Sequence, residues 1–304
     1  MIQREFSRRE FVARVSLASA AVASSSLTTP VLSAEAEKRS KIIAFTKPFR
    51  TLNATQTAEL VAGVGWDGVE LPVRAKEGQI TPEKVDEELP KFVEALRGRG
   101  SEVSIVTTDI TAVTPSAEKV LRAASRLGIK RYRLGFFPYA KDKAIPDQLN
   151  EIAPRLRELA ALNKELGLQA GFQNHSGAAY VGAPVWDIWT LIKDLDPKTI
   201  GYCFDIGHAT IEGGLSWPTH FRLAAPRLTA VFVKDFQWKK SGKNWKSEWC
   251  PLGEGMVHRE FFNQLKTTNY AGPICQHHEY EVGDNEQMRT YFKKDLATLR
   301  EWLA

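Results

Sequence analysis

The chain has 304 residues, 25% of them charged and 43% hydrophobic, and a formal net charge of +5. That length admits one large domain or two small ones, with an ordinary hydrophobic share for a folded chain. Part of the basic excess lies in the first 41 residues and the rest is scattered, save a short cluster at Lys239, Lys240, Lys243 and Lys246, so no nucleic-acid partner is expected. Cys203, Cys250 and Cys275 are an odd count without a CxxC spacing. Cys203 and Cys275 fall in strand-like runs and read as buried free thiols.

The N-terminal residues read as a targeting segment. Ser7-Arg8-Arg9-Glu10-Phe11-Val12 is similar to the twin-arginine export motif, and an Ala/Ser-rich stretch follows. That stretch is too polar to be a stable membrane anchor. Ala34-Glu35-Ala36 supplies the small residues of a cleavage site, which sets a signal peptide over residues 1–36 and the folded chain over 37–304. The expected partner there is the twin-arginine export machinery, and the expected location is the periplasm.

From Lys41 the chain alternates. β-rich runs at 41–46, 68–71, 102–107, 131–135, 169–173, 200–204, 230–233 and 273–277 are separated by helix-period stretches at 55–64, 82–97, 117–127, 146–166, 184–195, 217–225, 259–267 and 285–303. Eight strands alternating with eight helices predict an α/β fold, a (β/α)8 TIM barrel in a single domain. A doubly wound open sheet would carry a glycine-rich phosphate turn after the first strand, and Phe45-Thr46-Lys47-Pro48-Phe49 has no glycine.

In this architecture the chemistry sits where strands end. The polar residues there are Lys47, Glu70, Thr108, Asp109, Gln173, Asn174, His175, Asp205, His208, Lys234, Asp235, His277, His278 and Glu279. An isolated Asp-x-x-His such as Asp205 and His208 is also what a helix cap looks like. Convergence of several strand ends argues for a site.

The phrases GWDGVEL, GFQNHSG, FDIGHA, VFVKDF and GPICQHHEY, in that order, resemble the xylose isomerase-like barrels of the sugar phosphate isomerase/epimerase superfamily. The resemblance implies a divalent metal (Mn, Mg, Co or Zn) held by a Glu, an Asp, a His and a Glu from strands five to eight, with a substrate-contacting His three residues after the Asp. Asp205, His208 and Glu279 match that pattern, whereas Gln173 and Phe232 stand where the family has Glu and His. The metal set it implies is therefore Gln173, Asp205 and Glu279. Gln173 brings no charge and cannot abstract a proton, and Phe232 cannot ligate.

The function so implied is a metal-assisted isomerase, epimerase or lyase that abstracts a proton next to a carbonyl. Glu279, His208, Lys234 and His175 are the expected acid–base groups. Export points to a non-phosphorylated sugar or keto-glycoside. Glu70, Asn174, Asp235, Trp238 and His278 are expected to contact the sugar, Trp238 as part of an aromatic loop with Trp245 and Trp249. Glu70 is also read as a partner of Arg74, and Asp235 as a support for Lys234. The alternative is a non-catalytic carbohydrate-binding barrel whose metal site has decayed.

Overall fold

The computed structural model describes residues 39–304 apart from Val282 and Asp284. The signal segment expected over residues 1–36 lies outside the described residues. No helix among the described residues is long and apolar enough to cross a membrane.

Seven strands form in the first part of the chain: β1 (Ile42–Phe45), β2 (Gly68–Pro72), β3 (Glu102–Thr107), β4 (Arg131–Arg133), β5 (Gln169–Gln173), β6 (Ile200–Asp205) and β7 (Leu228–Val233). An antiparallel hairpin, β8 (Asp235–Ser241) and β9 (Asn244–Cys250), follows. The last strand is β10 (Ile274–Gln276). The barrel closes in parallel in the order β1-β10-β7-β6-β5-β4-β3-β2. The fold expected from the alternation is the fold observed. Between the strands lie α1 (Ala54–Val64), α2 (Val85–Arg97), α3 (Pro115–Arg126), α4 (Ile145–Leu166), α5 (Val185–Ile192), α6 (Ile206–Gly213), α7 (Trp217–Ala224), α8 (Glu260–Thr267) and α9 (Asn285–Leu303).

Strand alternation sorts the side chains into two cores. Ile42, Ala44, Val69, Leu71, Tyr202, Phe204, Val231, Val233 and Ile274 face outward into the layer beneath the helices. Ile43, Phe45, Ile105, Cys203, Ala230, Phe232 and Cys275 fill the barrel. Both strand cysteines are buried and free, as their setting in apolar runs predicts. The filling is tight at β5, where a Cβ on Gly171 would lie 2.0 Å from Cys203 Sγ. Only glycine lets β5 and β6 interdigitate there.

Two elements depart from expectation. The segment after β7, expected as an aromatic loop, is a hairpin. Gly242, at φ +62°, occupies the first of its two loop positions, as a tight turn with the strands' twist requires. The second is α6, a short helix between β6 and α7. Asp205 caps it, its Oδ1 accepting from the His208 backbone N–H at 3.1 Å. The cap and the convergent site are therefore the same residue.

Candidate active site

One strand further along the alternation, the apolar filling gives way to polar side chains. Glu70, Thr107, Arg133, Gln173, Asp205, Lys234 and His277 are all buried, and they come from seven different strands or strand ends. A buried charge needs a partner, and these residues supply one another.

On the side of β5 to β7, Asp205 is fully buried. Its Oδ2 accepts from Gln173 Nε2 at 2.9 Å and lies 3.2 Å from Lys234 Nζ. Lys234 Nζ donates in turn to Glu279 Oε1 at 2.9 Å. The indole of Trp249 covers the ammonium at 4.5 Å from Nζ to the ring centroid. Burial works against the Lys234 charge, but Asp205 and Glu279 outweigh it and hold the group protonated. Burial likewise opposes ionisation of Glu279, and Lys234 and His277 override it, so its carboxylate stays charged far below the usual range.

Two imidazoles flank this ion cluster. His208 and His175 have ring centroids 4.0 Å apart. His208 Nδ1 is 2.8 Å from Ser176 Oγ, while its buried Nε2 has no hydrogen-bond partner and sits 3.8 Å from Asp205 Oδ2. His175 Nδ1 is 2.9 Å from the Ser176 carbonyl, which fixes the proton on Nδ1 and leaves Nε2 as a lone-pair base. Burial, helped by the Lys234 charge, lowers both pKa values, strongly for His208. Both rings are neutral at neutral pH and able to accept a proton.

On the opposite wall, Glu70 Oε2 is 2.8 Å from His277 Nε2 and accepts from Cys275 Sγ at 3.2 Å, and its Oε1 accepts from Thr107 and lies 3.6 Å from Arg133 Nε. The His277 ring is sandwiched between Phe45 and Phe232. Burial would raise the Glu70 pKa, but His277 and Arg133 hold it at about 2. Arg133 joins the two walls, donating from Nη1 to Gln173 Oε1 at 2.6 Å.

The structure thus brings together seven of the residues singled out from sequence: Gln173, Asn174, His175, Asp205, His208, Lys234 and Glu279. Several expected roles need correction. Asn174 is occupied by the Asp205 backbone at both ends of its amide, at 2.8 and 2.9 Å, and so positions Asp205 in place of a sugar. Glu70 has both oxygens engaged inside the barrel, and Arg74 pairs with Asp109 at 3.4 Å instead. Asp235 does not hold Lys234. Its carboxylate accepts from the backbone N–H groups of Phe236, Gly253, Gly255 and Val257, fixing the loop that follows the hairpin. His278 points away from the barrel interior into an aromatic cluster with Trp66 and Phe292. Trp238 packs edge-on against Phe236 and is 42% exposed, and Trp249 is the tryptophan that meets the cluster.

Arg133 and Ser176 are not among the sequence-based candidates, and His277 is among them only as a strand-end residue without an assigned role. For Arg133 and His277 the period-two alternation was the available signal, since each lies two residues beyond an inward position of its strand. A cleft of ≈ 870 Å³ lined by Gln237, Trp249, Glu254, Glu279, Tyr280 and Tyr291 borders the cluster at Glu279 and Trp249. Glu279 is the exposed edge of the ion cluster, with 22% of its side-chain surface accessible against 2% for Lys234.

A model of the xylose isomerase-like TIM barrel matches residues 58–302. The chain belongs to that family. Among solved structures, it is similar to 3-keto-D-glucoside 4-epimerase YcjR from E. coli, at 16% identity over 86% of this chain and 100% of that one, with a TM-score of 0.66. It is also similar to a xylose isomerase-like TIM barrel protein from Mycobacterium smegmatis in complex with magnesium, at 17% identity over 87% and 98% of the two chains, with a TM-score of 0.62. An uncharacterized protein, MJ1311 of Methanocaldococcus jannaschii, is 21% identical over 239 residues, 78% of this chain and 73% of its own.

The Mycobacterium smegmatis neighbour was solved with magnesium, and this barrel holds a group of metal-competent donors: Glu70, Cys275 and His277 place ligand atoms within 4.8 Å of one another. The donors that the resemblance picks out behave differently. A guanidinium only donates, so the Gln173 amide oxygen must face Arg133 and its N–H groups face Asp205. The two carboxylates of that set, Asp205 and Glu279, share the Lys234 ammonium. Gln173, Asp205 and Glu279 do not fit a metal ion in this arrangement.

Proposed function

We propose that this barrel is a sugar isomerase- or epimerase-like enzyme that moves a proton at the carbon next to a carbonyl of a non-phosphorylated sugar or keto-glycoside. The observation that carries the reading is the convergence of a buried, cation-bridged carboxylate pair with two neutral imidazoles at the C-terminal end of the barrel. Proton abstraction needs a base that is unprotonated at working pH; His208 is neutral, and with its proton on Nδ1 toward Ser176 Oγ its unpartnered Nε2 carries the free lone pair. His175 Nε2 supplies a second proton-transfer group on the adjacent ring. Negative charge then develops on the substrate oxygen, and a fixed positive group stabilises it best in a site closed to water. Trp249 offers an apolar face to a sugar ring at the edge of the cleft. Elimination from a keto-glycoside starts with the same proton abstraction, so lyase activity belongs to the same proposal.

The preference for a free sugar rests on the twin-arginine-like motif at Arg8 and Arg9, and with it periplasmic location and contact with the export machinery. The test follows the proton. Incubation with a panel of ketohexoses and 3-keto-glucosides in D2O should place deuterium at the carbon beside the carbonyl, read by NMR, and His208→Asn should abolish it. Sugar binding by calorimetry without deuterium entry for any member would replace this reading with that of a binding barrel.

A further inference from the structure

We infer that the Lys234 ammonium takes the place of the family's divalent cation, as the fixed electrophile that holds the carbonyl oxygen. This assignment rests on the proton-transfer reading of the proposed function.

The family's metal-binding histidine falls at Phe232, whose ring is buried inside the barrel and packs on His277 with centroids 4.4 Å apart. The next inward position along the strand is Lys234. Its Nζ is 3.2 Å from Asp205 and 2.9 Å from Glu279, bridging the two carboxylates that the metal set retains. The third position, Gln173, turns N–H donors toward Asp205 because Arg133 takes its oxygen. The site thus combines two negative charges, one positive charge and a donor-bearing amide. A divalent ion entering it would meet an ammonium and an N–H dipole of the wrong sign, with one net negative charge to bind it.

The surrounding chain is shaped to this lysine. Helix α6 begins with Ile206-Gly207, and a Cβ on Gly207 would lie 2.9 Å from Lys234 Cγ and 2.8 Å from Lys234 O. Trp249 caps the ammonium from the hairpin side. An ammonium has three N–H groups. Asp205 and Glu279 take two, and the third remains to donate to a substrate oxygen. In the step, the imidazole takes the carbon-bound proton, the C–H electron pair becomes the enediolate double bond, and the oxygen that gains the charge is held by the Lys234 N–H. No electron acceptor is required.

The experiment is a metal assay on the full chain purified without chelator or nickel affinity. Wild type should carry far less than one Mn, Mg, Co, Zn or Fe per chain by plasma mass spectrometry, and neither EDTA nor MnCl2 should move its melting temperature. Lys234→Ala should gain Mn2+ binding, seen by electron paramagnetic resonance, and Asp205→Asn in that background should lose it. Stoichiometric metal in wild type that disappears in Asp205→Asn alone overturns the assignment. So does a folded Lys234→Ala that binds no Mn2+. If Lys234→Ala does not fold, the wild-type measurements decide alone. Metal that Asp205→Asn removes, found together with deuterium exchange, would sink the lysine assignment and leave the proposed function standing. Metal-free protein without exchange for any sugar would do the reverse.

Discussion

His277 and His278 are neighbours in the chain and occupy opposite chemistries. His277 faces the barrel interior, where Glu70 lies 2.8 Å from its Nε2 and Phe45 and Phe232 hold its faces. His278 faces the helix layer among Trp66, Phe292 and Tyr280, with neither nitrogen hydrogen-bonded and Asp295 3.4 Å from Nε2. Burial, reinforced by the His277 charge, drops the His278 pKa to about 3. Burial raises Asp295 to about 7, against the pull of Tyr280 and the Leu252 N–H. The inner face answers buried charge with countercharge. The outer face keeps its buried histidine neutral and lifts its buried acid to about 7. The same two solutions to one desolvation problem sit on alternate residues of one strand end.

The strongest way to break the inner arrangement is Lys234→Met. It leaves Asp205 fully buried with no cation, and removing one partner of such a pair costs ~3–5 kcal/mol. Urea unfolding at pH 7 should show that loss, with deuterium exchange falling to background. A loss under ~1 kcal/mol would mean that the inner charges are not compensated as described.

Glu70→Gln tests the other wall. The Glu70 carboxylate has an ordinary value of 4.5 and a folded value of about 2. A depressed acid stabilises the fold above pH 4.5, and that contribution is lost as pH falls toward 2. The shift corresponds to about 3 kcal/mol for a fully buried group. The variant should lose about that much at pH 7 and show a flatter acid limb in melting temperature against pH. An unchanged acid limb would assign acid unfolding to other carboxylates.

How much of this was legible in the sequence depends on which period a residue obeys. The barrel strands announced themselves because apolar runs such as Tyr202-Cys203-Phe204 are buried on both faces. The convergence of Gln173, Asp205, Lys234 and Glu279 followed from strand ends alone. His277 and not His278 was readable in principle: Cys275 lies in the barrel filling, so residue 277 shares its face and residue 278 does not. The hairpin Asp235–Cys250 escaped because its middle, Gln237 to Glu248, is solvent-exposed on both faces and shows no apolar alternation. Its signal was local, a Gly242-Lys243 turn between β-forming residues. The Arg133–Gln173 bond that turns the amide around had no sequence signal, since it depends on side-chain reach across the barrel.

The outer pair gives opposite signs when dissected. Between about pH 4 and 6.5 the folded pair carries one proton, on Asp295, and the unfolded chain also carries one, on His278, so the wild type is nearly flat there. Asp295→Asn removes the folded state's extra proton. Stability should then rise with pH across that window by ~2–4 kcal/mol, as the unfolded His278 gives up its proton. A flat profile across that window, by chemical unfolding at several pH values, would show that His278 is the protonated member.

His278→Leu is the smallest expected effect at neutral pH and the sharpest test of the inner–outer contrast. The ring makes no hydrogen bond that leucine would forfeit, and its neighbours Trp66 and Phe292 are apolar. At pH 7 the change should stay within ~1 kcal/mol, with deuterium exchange unaltered. On acidification the variant should part from wild type: with the histidine gone, Asp295 alone remains proton-rich in the folded state, so stability should increase as pH falls from about 7 toward 4. His277→Leu, one residue away, removes the partner of a buried carboxylate and should damage stability at every pH above 4.5. Equal effects from the two leucines would mean that strand alternation does not separate their environments.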